Sequence, residues 1–509
     1  MGIFRYTASA DNTITNAFTS NLLETGRGTG SNMGYADALE VFSIYGQASS
    51  STGQTQELTR ALINFSTTTI AADRTAGKIP ASGSVSFYLR MFNARTPFTL
   101  PQDFTLVVAP VSRSWVEGTG LDMDEYKDDG KSNWVSASTT TAWTNVGSDY
   151  RTGSNYNVTF AQGYEDMELD VTELMERWLA SEFTNYGFGV RLTASQEAYY
   201  SGSTGVDSGS IIQNTDGATE SYYTKKFFAR STEFFFKRPV IEARWDSRIS
   251  DDRENFYYSS SLAPSLDNLN TLYFYNYVRG RLVNIPTVGT GEIYVSFYSS
   301  SNSAPTGSAL KLSVGGNVAA ALDTNATGGY VSTGIYSCSV ALTAASTPFA
   351  LVHDVWSNYS GTVEFYTGSV YPELMPTYDS APTFERITSC KNLRKKYSGT
   401  DTARFRFFVR NKNWSPTVYT VSTTNNPTDI IPSASYAIYR VTDNYGAIPY
   451  GTGSDLSTYL SYDKEGNYFD LDMSLLERDY MYEIRLAYYN DSIGSWQEQP
   501  QTFKFRVEE

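Results

Sequence analysis

Apolar and polar positions along this chain alternate with the period of strands far more often than with the period of helices. Val85, Phe87, Leu89 and Met91 alternate with Ser86, Tyr88, Arg90 and Phe92, which gives one strand two usable faces. Ile293, Val295 and Phe297 alternate in the same way with Tyr294, Ser296 and Tyr298, and Val240, Glu242 and Arg244 with Ile241, Ala243 and Trp245. Near the C-terminus Phe405, Phe407 and Val409 oppose Arg404, Arg406 and Arg410; Tyr482, Ile484, Leu486 and Tyr488 repeat the pattern, and Phe503, Phe505 and Val507 form a last strand. One stretch departs from it. In Asp170–Leu179, Val171, Leu174, Met175 and Trp178 recur at i, i+3, i+4 and i+7, which predicts a short helix with one buried face. Ser474–Arg478 is expected to form a single helical turn.

These segments group into three domains. The first, 1–245, contains the strand around Val85, an apolar run at Phe104–Val108 and the predicted helix. Its residues 195–225, poor in aliphatics and dense in Ser, Gly and Tyr, read as a long loop. Phe227-Phe228 and Phe234–Phe236 are expected to flank a return strand ending at Arg238-Pro239. A second domain, 246–375, begins at the charged turn Ser250–Glu254 and carries evenly spaced short strands, including Phe349–Val352 and Val363–Tyr366, that suggest another sandwich. Pro372, Pro376 and Pro382 mark a linker. The third domain, 376–509, has sheet-on-sheet, immunoglobulin-like patterning. The expected fold is all-β, with two or three jelly-roll or immunoglobulin-like sandwiches in series. No internal repeat of 20–50 residues and no sustained heptad is present, which argues against a fibre shaft.

Composition agrees with this picture. Of 509 residues, 39 are Tyr and 28 are Phe, side chains that suit half-buried pleated surfaces. The net charge of −15 repels phosphate backbones, so nucleic acid is not an expected partner. No apolar run approaches the roughly 20 residues of a membrane-spanning helix, so no membrane partner is expected either. The start Met1-Gly2-Ile3-Phe4-Arg5 has neither the charged lead nor the apolar stretch of a signal peptide, and synthesis in the cytoplasm without classical export is expected. Cys338 and Cys390 are 52 residues apart and offer no zinc spacing; two free thiols are the favoured reading, with a disulfide as the alternative.

Residues that could carry chemistry are sparse. His353 is the sole histidine, in the strand-like run Leu351–Trp356, and it lacks local partners for base or metal chemistry. The acidic stretch Asp122–Asp129 is the densest cluster of carboxylates; it fits no EF-hand register, and a solvated loop is preferred over a calcium site. Gly26–Gly30 has the glycines of a phosphate loop without its Lys-Ser/Thr. Tyr199-Tyr200, Tyr222-Tyr223 and Tyr257-Tyr258 suit a protein interface, a sheet surface or stacking on a sugar. No catalytic residue, cofactor site or metal site is expected.

A string of motifs runs through the first two hundred residues: Asp11-Asn12-Thr13-Ile14, Asn32-Met33-Gly34, Ala38–Val41, Arg60–Phe65, Val85–Leu89, Ser114-Trp115-Val116-Glu117, Asn133-Trp134, Leu169–Thr172 and Asn185–Phe188. Its order and spacing resemble the DNRLRE family of β-sandwich modules found in secreted, surface and virion proteins. The resemblance covers about residues 1–200 and implies a binding or scaffolding fold without catalytic machinery. Together with composition it leads to the expectation of a non-enzymatic virion structural protein of a tailed phage, neck, collar or tail-associated. Such a protein would form a homo-oligomer and contact other virion proteins, with the virion as its location. The alternative is a carbohydrate-binding or adhesive surface protein, for which a glycan is the ligand.

Overall fold

The computed structural model describes residues 2–18, 27–49, 53–97, 100–123, 131–201, 210–299, 304–313, 315–316, 323–343, 348–375, 385–418, 428–453 and 455–509, with the side chains of 47–49 and 53–55 left out of account. It is nearly all β, 46% strand and 6% helix, and it contains several β-sandwich domains. The chain divides into two compact units, one of Gly2–Trp245 and one of Asp246–Glu509. Among the described residues no helix is long and apolar enough to cross a membrane.

The N-terminal unit packs a four-stranded sheet against a larger one. The smaller runs Gly2–Thr7, Val240–Trp245, Ser86–Met91, Met167–Asp170. Its first two strands pair antiparallel from Gly2↔Trp245 to Thr7↔Val240, so the chain enters and leaves this unit side by side. The larger sheet runs Tyr222–Phe228, Ala38–Ser49, Gly53–Asn64, Phe188–Leu192, Phe104–Pro110, Tyr156–Phe160, with Ala10–Thr15 also on Gly53–Asn64. Phe87, Leu89 and Met91 from one sheet meet Phe104, Leu106, Val108, Phe188 and Val190 from the other in a single core.

The helix predicted at Asp170–Leu179 is present as Thr172–Leu179, and all four residues of its stripe are buried. Asp170 Oδ1 accepts from the Thr172 N–H, while Thr172 Oγ1 accepts from the Phe87 N–H, which ties the helix start to the small sheet. A second helix, Thr67–Thr75, was not anticipated; Ser66 caps it by accepting from the Thr69 N–H, and Arg74 fixes it to Glu176 with two bonds of 2.8 and 2.6 Å. The return strand expected to end at Arg238-Pro239 is absent. Phe227 and Phe228 instead end the strand Tyr222–Phe228, and Phe235–Lys237 is one 3-10 turn leading into Val240–Trp245.

In the C-terminal unit, Asn270–Tyr275, Ile335–Leu342, Ala326–Ser332, Ile293–Ser299, Val352–Ser357 and Glu364–Val370 form one sheet in that order, with Leu312–Ser313 also on Ile335–Leu342. Its core gathers Phe274, Val295, Phe297, Tyr336, Val340 and Trp356. Residues 386–509 contribute two more sheets. One runs Arg386–Cys390, Thr402–Asn411, Gly466–Asp472, Ser461–Asp463; the other runs Lys396–Ser398, Phe503–Glu508, Met481–Asn490, Ala434–Arg440, Tyr445–Ile448, with Ser495–Glu498 also on Met481–Asn490. Aromatic contacts join them: Phe405 meets Phe505 at 5.4 Å, and Tyr436 stacks on Phe469 at 3.7 Å and 7°. The terminal strand is not an open edge, because Lys396–Ser398 pairs with it in parallel on the side opposite Met481–Asn490. The expected charged turn at 250–254 also does more than open a domain. The Tyr462 N–H donates to the Ile249 carbonyl, the Asp251 N–H to the Tyr462 carbonyl, and the Tyr462 hydroxyl to Asp252 Oδ1 at 2.8 Å.

Candidate functional site

Polar residues of several motifs meet in one hydrogen-bonded network of the N-terminal unit. Ala10–Thr15 lies along Gly53–Asn64, which places Asp11 and Asn12 opposite Ile63 and Leu62. The Asn12 amide donates to the Ser132 carbonyl and hydroxyl at 2.9 and 2.8 Å and accepts from the Met33 N–H at 2.8 Å. Asn32 donates to the carbonyls of Glu117 and Ser132 and accepts from the N–H groups of Gly34 and Gly120. A Cβ at Gly34 would lie 2.6 Å from the Gly118 carbonyl oxygen, so the motif glycine is a matter of space. Glu117 accepts from the Asp11 N–H at 2.7 Å and takes both arms of Arg230 at 2.6 Å each; the Arg230 N–H in turn donates to Asp11 Oδ2.

Arg60, Trp115, Trp134 and Asn185 act in the same way. Arg60 forms a buried fork with Glu197 (2.9 and 2.8 Å), donates to the Gly147 carbonyl and faces the Trp134 ring at 5.5 Å. The Trp115 indole donates to the Tyr186 carbonyl, and that of Trp134 to the Ser210 carbonyl. Asn185 binds the Phe65 carbonyl and accepts from Gly187, whose φ of +84° and close approach to the Ile63 carbonyl both demand glycine. The chemistry-bearing side chains of the string are therefore occupied in holding loops to strands. Burial, with the nearby Glu117, raises Asp11 to about 7 against the bond from the Arg230 N–H, and its Oδ1 has no partner among the described residues.

Sequence reasoning missed the partners of these residues. Arg230 and Glu197 stand outside every motif, and no local spacing connects them to Glu117 or Arg60. Lys225 is another such residue: buried, it donates to Asn93 Oδ1 and the carbonyls of Gly163 and Glu165, and burial lowers it to about 8 despite Glu165 and Asp166 nearby. On the outer side of the small sheet, Glu242 is 1% exposed and meets Arg5, Arg90 and Arg244 at 2.7, 3.0 and 2.7 Å. Burial raises its pKa, but the three guanidiniums outweigh this and hold it at about 2.

His353 is buried, with Nδ1 3.1 Å from the Gly368 carbonyl oxygen. Its neighbour Asp354 takes a fork from Arg253 at 2.7 and 2.8 Å and a bond from the Trp356 indole at 2.7 Å, so this pair is internal to the middle sheet. Both cysteines are free thiols; Cys338 is buried, and burial, aided by Asp354, pushes it up to about 12. Within the glycine-rich stretch, Arg27 donates to the carbonyls of Asn16 and Gln56. Most of the acidic stretch, residues 124–130, lies outside the described residues. Among the described residues no group of three or more His, Cys, Asp or Glu is placed to hold a metal ion.

The tyrosine pairs differ in placement. Tyr199, Tyr200, Tyr222 and Tyr257 are half-buried, Tyr223 is 44% exposed and Tyr258 is 2% exposed with its hydroxyl donating to the Phe349 carbonyl. A denser aromatic surface, not anticipated, lies on the outer face of the C-terminal six-stranded sheet. Tyr482, Ile484, Leu486 and Tyr488 point inward, so Arg485, Ala487 and Tyr489 point outward; register places Ser435 beside Ala487, Ala437 beside Arg485, and Trp496 beside Tyr489. Tyr459 bridges Ser435 from the other side. Compared with known protein families and with curated proteins, the chain matches none.

Proposed function

We propose that the protein is a non-enzymatic structural component of a tailed-phage virion, neck, collar or tail-associated, and that residues 1–200 are a DNRLRE-type module. The observation that carries this reading is the use made of the motif side chains. Asp11, Asn12, Asn32, Arg60 and Glu117, which a catalytic centre would turn toward a substrate, are bound to backbone groups and to the side chains of Ser132, Glu197 and Arg230. That is the arrangement of a scaffold. The several β-sandwich domains and an acidic, Tyr-rich chain support the same conclusion. On this reading the protein is a homo-oligomer that contacts other virion proteins, uses no cofactor and binds neither nucleic acid nor membrane. Edge strands such as Tyr156–Phe160 and Glu364–Val370 supply backbone groups for such contacts.

Antibody labelling of gradient-purified particles, with light scattering on the isolated protein, tests this reading. Labelling at the neck or tail and a defined oligomer are expected. A monomer that labels no part of the particle would refute it. The second reading, a carbohydrate-binding surface protein, is favoured by the aromatic face around Trp496.

A further inference from the structure

We propose that the outer face of the C-terminal six-stranded sheet is a binding site for a neutral glycan. The inference rests on that face alone and stands whether or not the protein belongs to a particle.

The floor of the site consists of Ser435, Ala437 and Ala487, all outward-facing yet buried. Outward positions on such a sheet are normally long and polar. Small ones leave room for large neighbours to lie across the strands, and here they do. The Tyr459 and Trp496 rings approach to 5.8 Å above this floor, and Tyr489 meets Trp496 at 5.5 Å. Tyr439 carries the Arg485 guanidinium at 4.1 Å over its ring, and Tyr459 carries that of Arg248 at 4.9 Å. Tyr450 donates to Glu498 Oε2 at 3.4 Å beside them. The result is a half-buried group of five aromatic rings, Tyr439, Tyr450, Tyr459, Tyr489 and Trp496, on the face turned away from the sandwich core.

Chemistry favours a sugar over other occupants. Pyranose rings present apolar C–H faces that stack on aromatic rings, and hydroxyls that pair with planar carboxylates, guanidiniums and amides. The rings are flanked by such groups: Glu498, exposed and opposite Ala487; Arg485, which donates to Asn444 Oδ1 at 2.7 Å; and the indole N–H of Trp496, which donates to no described residue. Tyr, Trp and Arg are also the residues that protein interfaces enrich, and the oligomer measurement below separates that occupant from a sugar. Arg248 and Arg485 are matched by Glu483 and Glu498, so the surface carries no excess charge to select a polyanion.

An array of immobilised cello-, malto-, manno- and chito-oligosaccharides, with sialylated and sulfated glycans beside them, tests the proposal on the full-length protein. Calorimetric titration of the best neutral binder follows. Expected is saturable binding that Trp496→Ala weakens at least about tenfold, as for an aromatic anchor, and that Trp496→Phe largely retains. Circular dichroism checks the fold of each variant, and Glu498→Gln, which alters an exposed side chain, gives the same readout should Trp496→Ala not fold. Absence of binding to every neutral glycan, preference for the anionic ones, indifference to both substitutions, or a dimer in light scattering that Trp496→Ala dissolves would each overturn it.

Discussion

Replacing Glu242 by Gln should destabilise the N-terminal unit by an amount that the structure allows to be worked out. The carboxylate sits nearly sealed on the outer side of the small sheet and accepts from Arg5, Arg90 and Arg244, themselves largely buried. Between the ordinary 4.5 and the about 2 at which these partners hold it, at about 1.4 kcal/mol per pH unit, the ionised form contributes about 3 kcal/mol. Because the folded state lowers this pKa, the contribution is complete above pH 4.5 and is lost as the pH falls from 4.5 to 2. Urea unfolding read by hydrogen exchange of peptides from Ser86–Met91 and Val240–Trp245 reports on this unit separately from the other. The expected result is a loss of about 3 kcal/mol in Glu242→Gln at pH 7 that shrinks toward zero near pH 2. Equal stability at pH 7, or a deficit that persists unchanged in acid, would refute the assignment of a structural charge cluster.

Two further outcomes follow from the same unit. Trp178 is 4% exposed, packs on Phe188 at 5.0 Å and leaves its indole N–H without a partner among the described residues. Trp178→Ala should cost about 3–5 kcal/mol, and Trp178→Phe much less, because it deletes an unpaired donor that costs about 1–3 kcal/mol to bury; an unchanged melting temperature in the Ala variant would contradict the core assignment. Asp11, raised to about 7, favours the folded state most below pH 3.8 and progressively less as the pH rises to 7, so Asp11→Asn should flatten the decline in melting temperature between pH 4 and 7; an identical slope would show that another group is responsible.

What the sequence made legible was the orientation of side chains. The alternation at Phe405, Phe407 and Val409 and the stripe at Val171, Leu174, Met175 and Trp178 each report which side of an element is buried, because burial imposes its period on local residues. Partners were not legible. Arg253 and Asp354 are 101 residues apart, and Arg230 and Glu117 are 113 apart, so no window contains both members of either pair. The helix Thr67–Thr75 escaped notice because it buries only Ile70 and Asp73 and opens on a run of β-branched threonines. Trp496 and Tyr459 are 37 residues apart and carry no pattern that links them; the register of Met481–Asn490 with its neighbours brings them together near Ser435 and Ala487.

The most direct test of the scaffold reading is quantitative mass spectrometry of gradient-purified particles, with this protein's copy number measured against that of the major capsid protein. The account predicts the protein in intact particles at one fixed copy number, the same in every preparation and resistant to salt washing. Its presence in the lysate but not in washed particles would contradict the proposed function.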